Sequence, residues 1–90
     1  MTLEDAIFNY LQIKHVASER PEDQAAQETY EFFQEILLED FKLENIREKE
    51  ENGMYTVQFT LEETEQEKQY PAEFVHQLLL DIQAEPKFNE

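Results

Sequence analysis

Glu51-Asn52-Gly53-Met54-Tyr55-Thr56-Val57-Gln58-Phe59-Thr60-Leu61 is the stretch that decides the fold. Asn52-Gly53 suits a two-residue hairpin loop, because both central residues of a type I′ turn need φ > 0. Gly53 is also the only glycine in the chain. Beyond it, Tyr55, Val57, Phe59 and Leu61 alternate with Thr56, Gln58 and Thr60, the pattern of a half-buried strand. A two-residue loop pairs Ile46 with Phe59 on the buried face. The same register puts Glu44, Glu48 and Glu50 on that face. The first strand therefore reads as an edge strand whose ends reach solvent, with charges guarding against aggregation.

Downstream, residues 62–69 are polar. They read either as an exposed loop or as a loop running into a short third strand near Lys68-Gln69-Tyr70, within residues 66–70, with the strand favoured. Pro71 then opens a helix over 71–84, with Phe74, Val75, Leu78, Leu79 and Ile82 on its apolar face. Pro86 stops that helix and 87–90 read as a frayed tail.

Upstream, residues 3–18 read as a helix capped by Thr2, with Asp5 at the third helical position. Leu3, Ala6, Ile7, Tyr10, Leu11, Ile13 and Ala17 share one face. Lys14 falls inside that arc, its stem buried and its ammonium at the rim or paired with an acid of a neighbouring helix. Phe8 and His15 lie beside the arc, and Val16 lies off it. A second helix spans 21–40, with Pro21 in its first turn, where no N–H is needed. Ala25, Ala26, Tyr30, Phe32, Phe33, Ile36, Leu37 and Phe41 cover about half of its circumference. So wide an apolar arc reads as the central helix of the domain.

The order is α-α-β-β-(β)-α, an α+β domain spanning 1–86 in which helices cover one face of an antiparallel hairpin or three-strand meander. The expected core is Ile7, Leu11, Phe33, Ile36, Leu37, Val57, Phe59, Phe74, Leu78 and Ile82.

Charge and composition narrow the function. Twenty-two acidic against seven basic residues leave a net charge of −15 over 90 residues. Such a surface repels nucleic acid and anionic lipid and favours basic protein partners. No apolar run approaches the roughly 20 residues of a membrane span, and the first residues are acidic where a signal peptide is basic. With no cysteine, disulfides, thiolate metal sites and a Cys nucleophile are excluded. The expected compartment is the cytoplasm. The Glu/Gln-rich, cysteine-free composition is similar to that of small cytosolic bacterial proteins, a likeness that carries no functional residues.

Few residues offer chemistry. Ser18 is the only serine, sits in the turn between the first two helices, and lacks the surroundings of a nucleophile. His15 and His76 are the only histidines. Glu73-x-x-His76 has the spacing of a carboxylate-bridged metal site. No second copy of that motif exists, and His15 with Glu19 could only complete a mixed site. Neither histidine is expected to hold a metal. Glu62–Glu67 lacks the glycine-centred loop of a calcium site, and one glycine allows no phosphate loop. No catalytic, cofactor or metal residue is therefore expected. A small enzyme or metal protein built around His76 is the weakest reading.

Two surfaces remain. Phe8, Leu38 and Leu80 lie off the main faces of their helices and form the candidate protein interface, used by a homodimer or by a different partner. Glu28, Glu31, Glu35 and Glu39 form the candidate acidic face. The first surface points to a non-enzymatic protein-binding adaptor or regulator. The second points to an anionic mimic that occupies the site of a basic DNA- or RNA-binding protein.

Overall fold

The first helix, and not the second, is the one the rest of the molecule surrounds. In the computed structural model, which describes residues 1–84, α1 spans Leu3–Glu19 and buries Ala6, Ile7, Tyr10, Leu11, Ile13, Val16 and Ala17. α2 (Gln24–Glu35) runs into a π-helical turn, Ile36–Asp40. Three antiparallel strands follow in the order β1 (Glu44–Glu51), β2 (Met54–Leu61), β3 (Thr64–Pro71), and α3 (Ala72–Ala84) ends the described chain. This is the α+β arrangement expected from the sequence. Pro86 and the 87–90 tail lie outside the described residues.

Local chemistry explains each helix start. The Thr2 hydroxyl accepts the Asp5 N–H at 3.1 Å, capping α1 as expected. α2 starts three residues later than 21, because Asp23 and not Pro21 sets its first turn. The Asp23 carboxylate accepts the Ala26 N–H at 3.1 Å and the Arg20 Nε–H at 3.2 Å. Pro21 stays in the connecting turn. At the other end the α-helix gives way before residue 40. Phe41 N–H donates to the Ile36 carbonyl at 3.1 Å, and Leu43 N–H to that of Leu37 at 3.0 Å. The widened turn carries Leu37 and Leu43 into the core and leaves Leu38 outside.

The hairpin forms on Asn52 (φ 53°) and Gly53 (φ 78°), with Glu51 opposite Met54 and Glu48 opposite Val57. The register shifts between Glu44 and Arg47, where Asn45 takes φ 53°. Asn45 and Ile46 together oppose Phe59, so Glu44 pairs with Thr60. Glu44 is thereby turned away from the covered face that Glu48 and Glu50 share, contrary to the regular register. β3 is longer than the expected 66–70. It pairs with β2 along its whole length through a turn at Glu62 (φ 51°) and Glu63 (φ 66°). Pro71 closes β3, an edge strand that can spare its N–H. The helix opens instead at Ala72, whose N–H donates to the Gly53 carbonyl at 2.8 Å and ties α3 to the hairpin loop.

Ile7 and Leu11 of α1 pack with Val57 and Phe59 of β2, together with Leu37, Leu43 and Val75. A second cluster joins Ile13, Val16 and Ala17 to Ala26 of α2 and Leu79 of α3. α1 is therefore flanked by α2 on one side and α3 on the other. This displaces α2 from the central place that its wide arc suggests, and it buries Val16 completely. Of the expected core, Ile7, Leu11, Leu37, Val57 and Phe59 are buried, while Phe33, Ile36, Leu78 and Ile82 are half-buried. Phe74 is 54% exposed and belongs to the surface.

The β2–β3 turn holds two glutamates in the left-handed region that favours Asn-Gly, at a cost of about 1 kcal/mol or more per residue. Replacing Glu62→Asn together with Glu63→Gly should stabilise the fold by about 1 kcal/mol and raise the melting temperature by roughly 4–8 °C. An unchanged or lower melting temperature would show that the turn is not strained.

Candidate functional site

Two concave features stand out, one on each side of α1. The first is a cleft of about 270 Å³ between α1 and the hairpin. α1 contributes Leu11, Lys14, His15 and Ser18, β1 contributes Glu48, Lys49 and Glu50, and β2 contributes Tyr55. The α-helical period explains the first set, since residues 11, 14, 15 and 18 share one face. His76 of α3 reaches the same place and stacks on His15 with ring centroids 4.2 Å apart.

The polar groups in this cleft engage one another. Lys14 pairs with Glu48, whose carboxylate is mostly buried. Its partner thus comes from a strand and not from a neighbouring helix. Burial pushes the Lys14 ammonium below its ordinary value, and its Nζ also lies 5.7 Å from the Tyr10 ring centroid. The Tyr55 hydroxyl and His76 Nε2 are hydrogen-bonded at 3.1 Å, and Glu50 Oε1 lies 3.8 Å from that nitrogen. Burial and then the Glu50 carboxylate push the Tyr55 hydroxyl up. Burial lowers His15, and the adjacent His76 lowers it further, against the opposing pull of Glu19 and Glu50. No group of three or more His, Asp or Glu among the described residues is placed to hold a metal ion. Glu73 and Ser18 are exposed.

The second feature is an open groove of about 430 Å³ on the side of α1 away from the sheet. Ile13 and Val16 form its floor, Ala25, Ala26 and Thr29 of α2 one wall, and Ile82 of α3 the other. The Arg20–Asp23 ion pair closes one end. Each wall continues along its helix. Phe32 shares the stripe of Ala25 and Thr29, and Phe74 and Leu78 share that of Ile82. Phe32 is 57% exposed, so both walls end in large aromatic rings open to solvent.

Phe8, Leu38 and Leu80 are not brought together. Phe8 is half-buried against the core, its ring 5.8 Å from that of Tyr70. Tyr70 in turn donates its hydroxyl to the Glu4 carbonyl at 3.3 Å, and burial raises its own ionisation to about 12. The β3 strand that supplies Tyr70 covers the position that a helical wheel assigns to water. Leu38 and Leu80 are both exposed. Their neighbours Leu37 and Leu79 belong to different core clusters, packed on the N-terminal and C-terminal halves of α1. Glu28, Glu31, Glu35 and Glu39 are all exposed, the first three on α2 and Glu39 in the π-helical turn. The aromatic ends of the groove were hidden in sequence, because Phe32 and Phe74 fit the apolar arcs of their helices. Their lateral place on those arcs was the available signal.

Comparison with protein-family models, with curated proteins and with solved structures finds no match to this chain. The functional reading therefore rests on these two features alone.

His15 carries a pH dependence whose sign follows from its lowered value. Below the ordinary value of about 6.5, the unfolded chain takes up a proton that folded His15 resists, so stability is lost as pH falls. Melting temperature should drop between about pH 7.5 and pH 5.5, a window in which exposed carboxylates stay ionised. His15→Gln should flatten that slope. An equally steep slope in the variant would remove His15 as its source.

Proposed function

We propose that this protein is a non-enzymatic adaptor or regulator of the cytoplasm that acts by binding another protein. The observation that carries the reading is the apolar groove over α1, with exposed Phe32 and Phe74 at the ends of its walls. Burying a Phe side chain contributes about 1.5–3 kcal/mol. A chain already soluble through its charge has no folding reason to leave two such rings in water beside an open groove. The apolar groups lie together and are bordered by acids, which is the layout of a protein-binding patch. No helix among the described residues is long and apolar enough to cross a membrane. The cleft on the other side supports a structural part for the histidines, because Lys14, Tyr55 and His76 are each already engaged by neighbours within it.

The interface thus moves from Phe8, Leu38 and Leu80 to Phe32, Phe74 and the groove between them. Partner capture from the native cell, at low and high salt, tests the assignment when it is run on single variants. Phe32→Ser and Phe74→Ser should lose the partner while keeping the melting temperature within a degree or two. Phe8→Ser should instead melt early, with a loss of about 2 kcal/mol or more. Capture of a basic nucleic-acid-binding protein that is released by salt and unaffected at Phe32 and Phe74 would contradict the reading. It would assign function to the mimic surface of Glu28, Glu31, Glu35 and Glu39.

A further inference from the structure

We infer that the groove between α2 and α3 seats a basic amphipathic α-helix of the partner, an inference that rests on the protein-binding reading above. Shape supplies the first argument. The groove opens between two helices of 12 and 13 residues, each roughly 18–20 Å long at 1.5 Å per residue, and the stripes that continue its walls run along them. That length accepts between three and four turns of helix. Its floor is the apolar pair Ile13 and Val16 and its walls carry Ala25, Ala26 and Ile82. Phe32 on α2 and Phe74 and Leu78 on α3 continue those walls at helical spacing, the complement of an i, i+3, i+4, i+7 face. The sheet offers no comparable seat for an added strand. β1 is broken by its bulge, and the other edge, β3, exposes Glu65, Gln66, Glu67 and Gln69.

Charge supplies the second argument. Immediately outside the Ala25–Thr29–Phe32 stripe, α2 carries exposed Glu28, Glu31 and Glu35. Beyond the Phe74–Leu78–Ile82 stripe, α3 carries exposed Glu73 and Asp81. The groove's own cation, Arg20, is bound by Asp23 at 3.2 Å. An occupant whose apolar stripe enters the groove therefore meets carboxylates on both flanks, and lysine or arginine there is favoured. A second copy of this chain meets the same carboxylates with its own, at a net charge of −15 on each copy. Like-charge repulsion disfavours that pairing.

The probe is a synthetic four-turn peptide with Leu at i, i+3, i+4 and i+7 positions and Lys on the flanks. Two controls accompany it, one with Glu replacing Lys and one with the same composition in scrambled order. The 90-residue chain should bind the Lys helix one-to-one by titration calorimetry, and the peptide should gain helicity on binding. Chemical shifts should move at Ile13, Ala26, Thr29 and Ile82. Phe32→Ser and Phe74→Ser should each weaken binding by about tenfold or more, with the melting temperature unchanged. Raising salt from about 50 to about 500 mM should weaken binding without abolishing it, because an apolar contact survives screening. The Glu and scrambled controls should fail.

Equal binding of the scrambled peptide would reduce the effect to bulk charge and overturn the inference. So would shifts confined to the hairpin cleft, or a self-dimer by sedimentation that Phe32→Ser dissociates. Failure of every helix, with the native partner still lost in Phe32→Ser, overturns the occupant and leaves the protein-binding reading standing. Failure of both overturns that reading as well.

Discussion

The structure depends on the encirclement of α1. A surface helix presents one apolar stripe to its neighbours, but α1 buries seven residues spread around most of its circumference. Ile7 and Leu11 meet the sheet, while Ala17 faces Ala26 of α2 and Leu79 of α3 closes the far side. Small residues set the spacing. Ala6, Ala17 and Ala26 let α2 approach closely enough for the Gln27 side-chain amide to donate to the Ala17 carbonyl at 2.8 Å. On the α3 side the Gln12 amide donates to the Phe74 carbonyl at 3.0 Å. The central helix is thus gripped by apolar contact at its middle and by side-chain amides on both flanks.

Both candidate sites are consequences of that arrangement. Where α1 diverges from the hairpin, the space is lined by groups too polar for a core: Lys14 pairs with Glu48, and Tyr55 is hydrogen-bonded to His76 beside Glu50. Glu48 is the most enclosed of these groups, so removing Lys14 leaves its carboxylate without its ion-pair partner. On the opposite side, α2 and α3 flank α1 without roofing it, and Ile13 and Val16 become the floor of a groove. Val16 is fully buried and lies at the base of that groove.

The legible parts of the fold were those set by local chemistry. Asn52-Gly53 announced the hairpin because few other pairs tolerate two left-handed residues, and Thr2 announced the start of α1. The β3 strand was obscured by its composition. Its turn uses Glu62 and Glu63, which carry no turn signature, and every residue of the strand before Tyr70 is polar. The π-helical turn at Ile36–Asp40 follows an ordinary helical pattern in sequence and is imposed by the packing of Leu37 and Leu43. Helical wheels failed where an element has more than one neighbour. They put Val16 outside and Phe74 inside, because a single stripe cannot represent a helix held from two sides or one lying at the margin of the layer. The convergence of His15 and His76 is purely tertiary. Nothing in the spacing of two histidines on separate helices announces a stack, and only the parallel run of α1 and α3 creates it.

If α1 is the element on which everything else packs, its hydrogen bonds should open last. Native-state amide hydrogen exchange measures this directly, because fully buried segments exchange only through global unfolding while peripheral ones open locally. The amides of Tyr10 to Ala17 should be the slowest in the protein, with opening free energies equal to the global stability, and those of α2 and β3 should exchange measurably faster. Slowest exchange in α2, with α1 opening locally, would contradict the central place given to α1 and with it the origin of both sites.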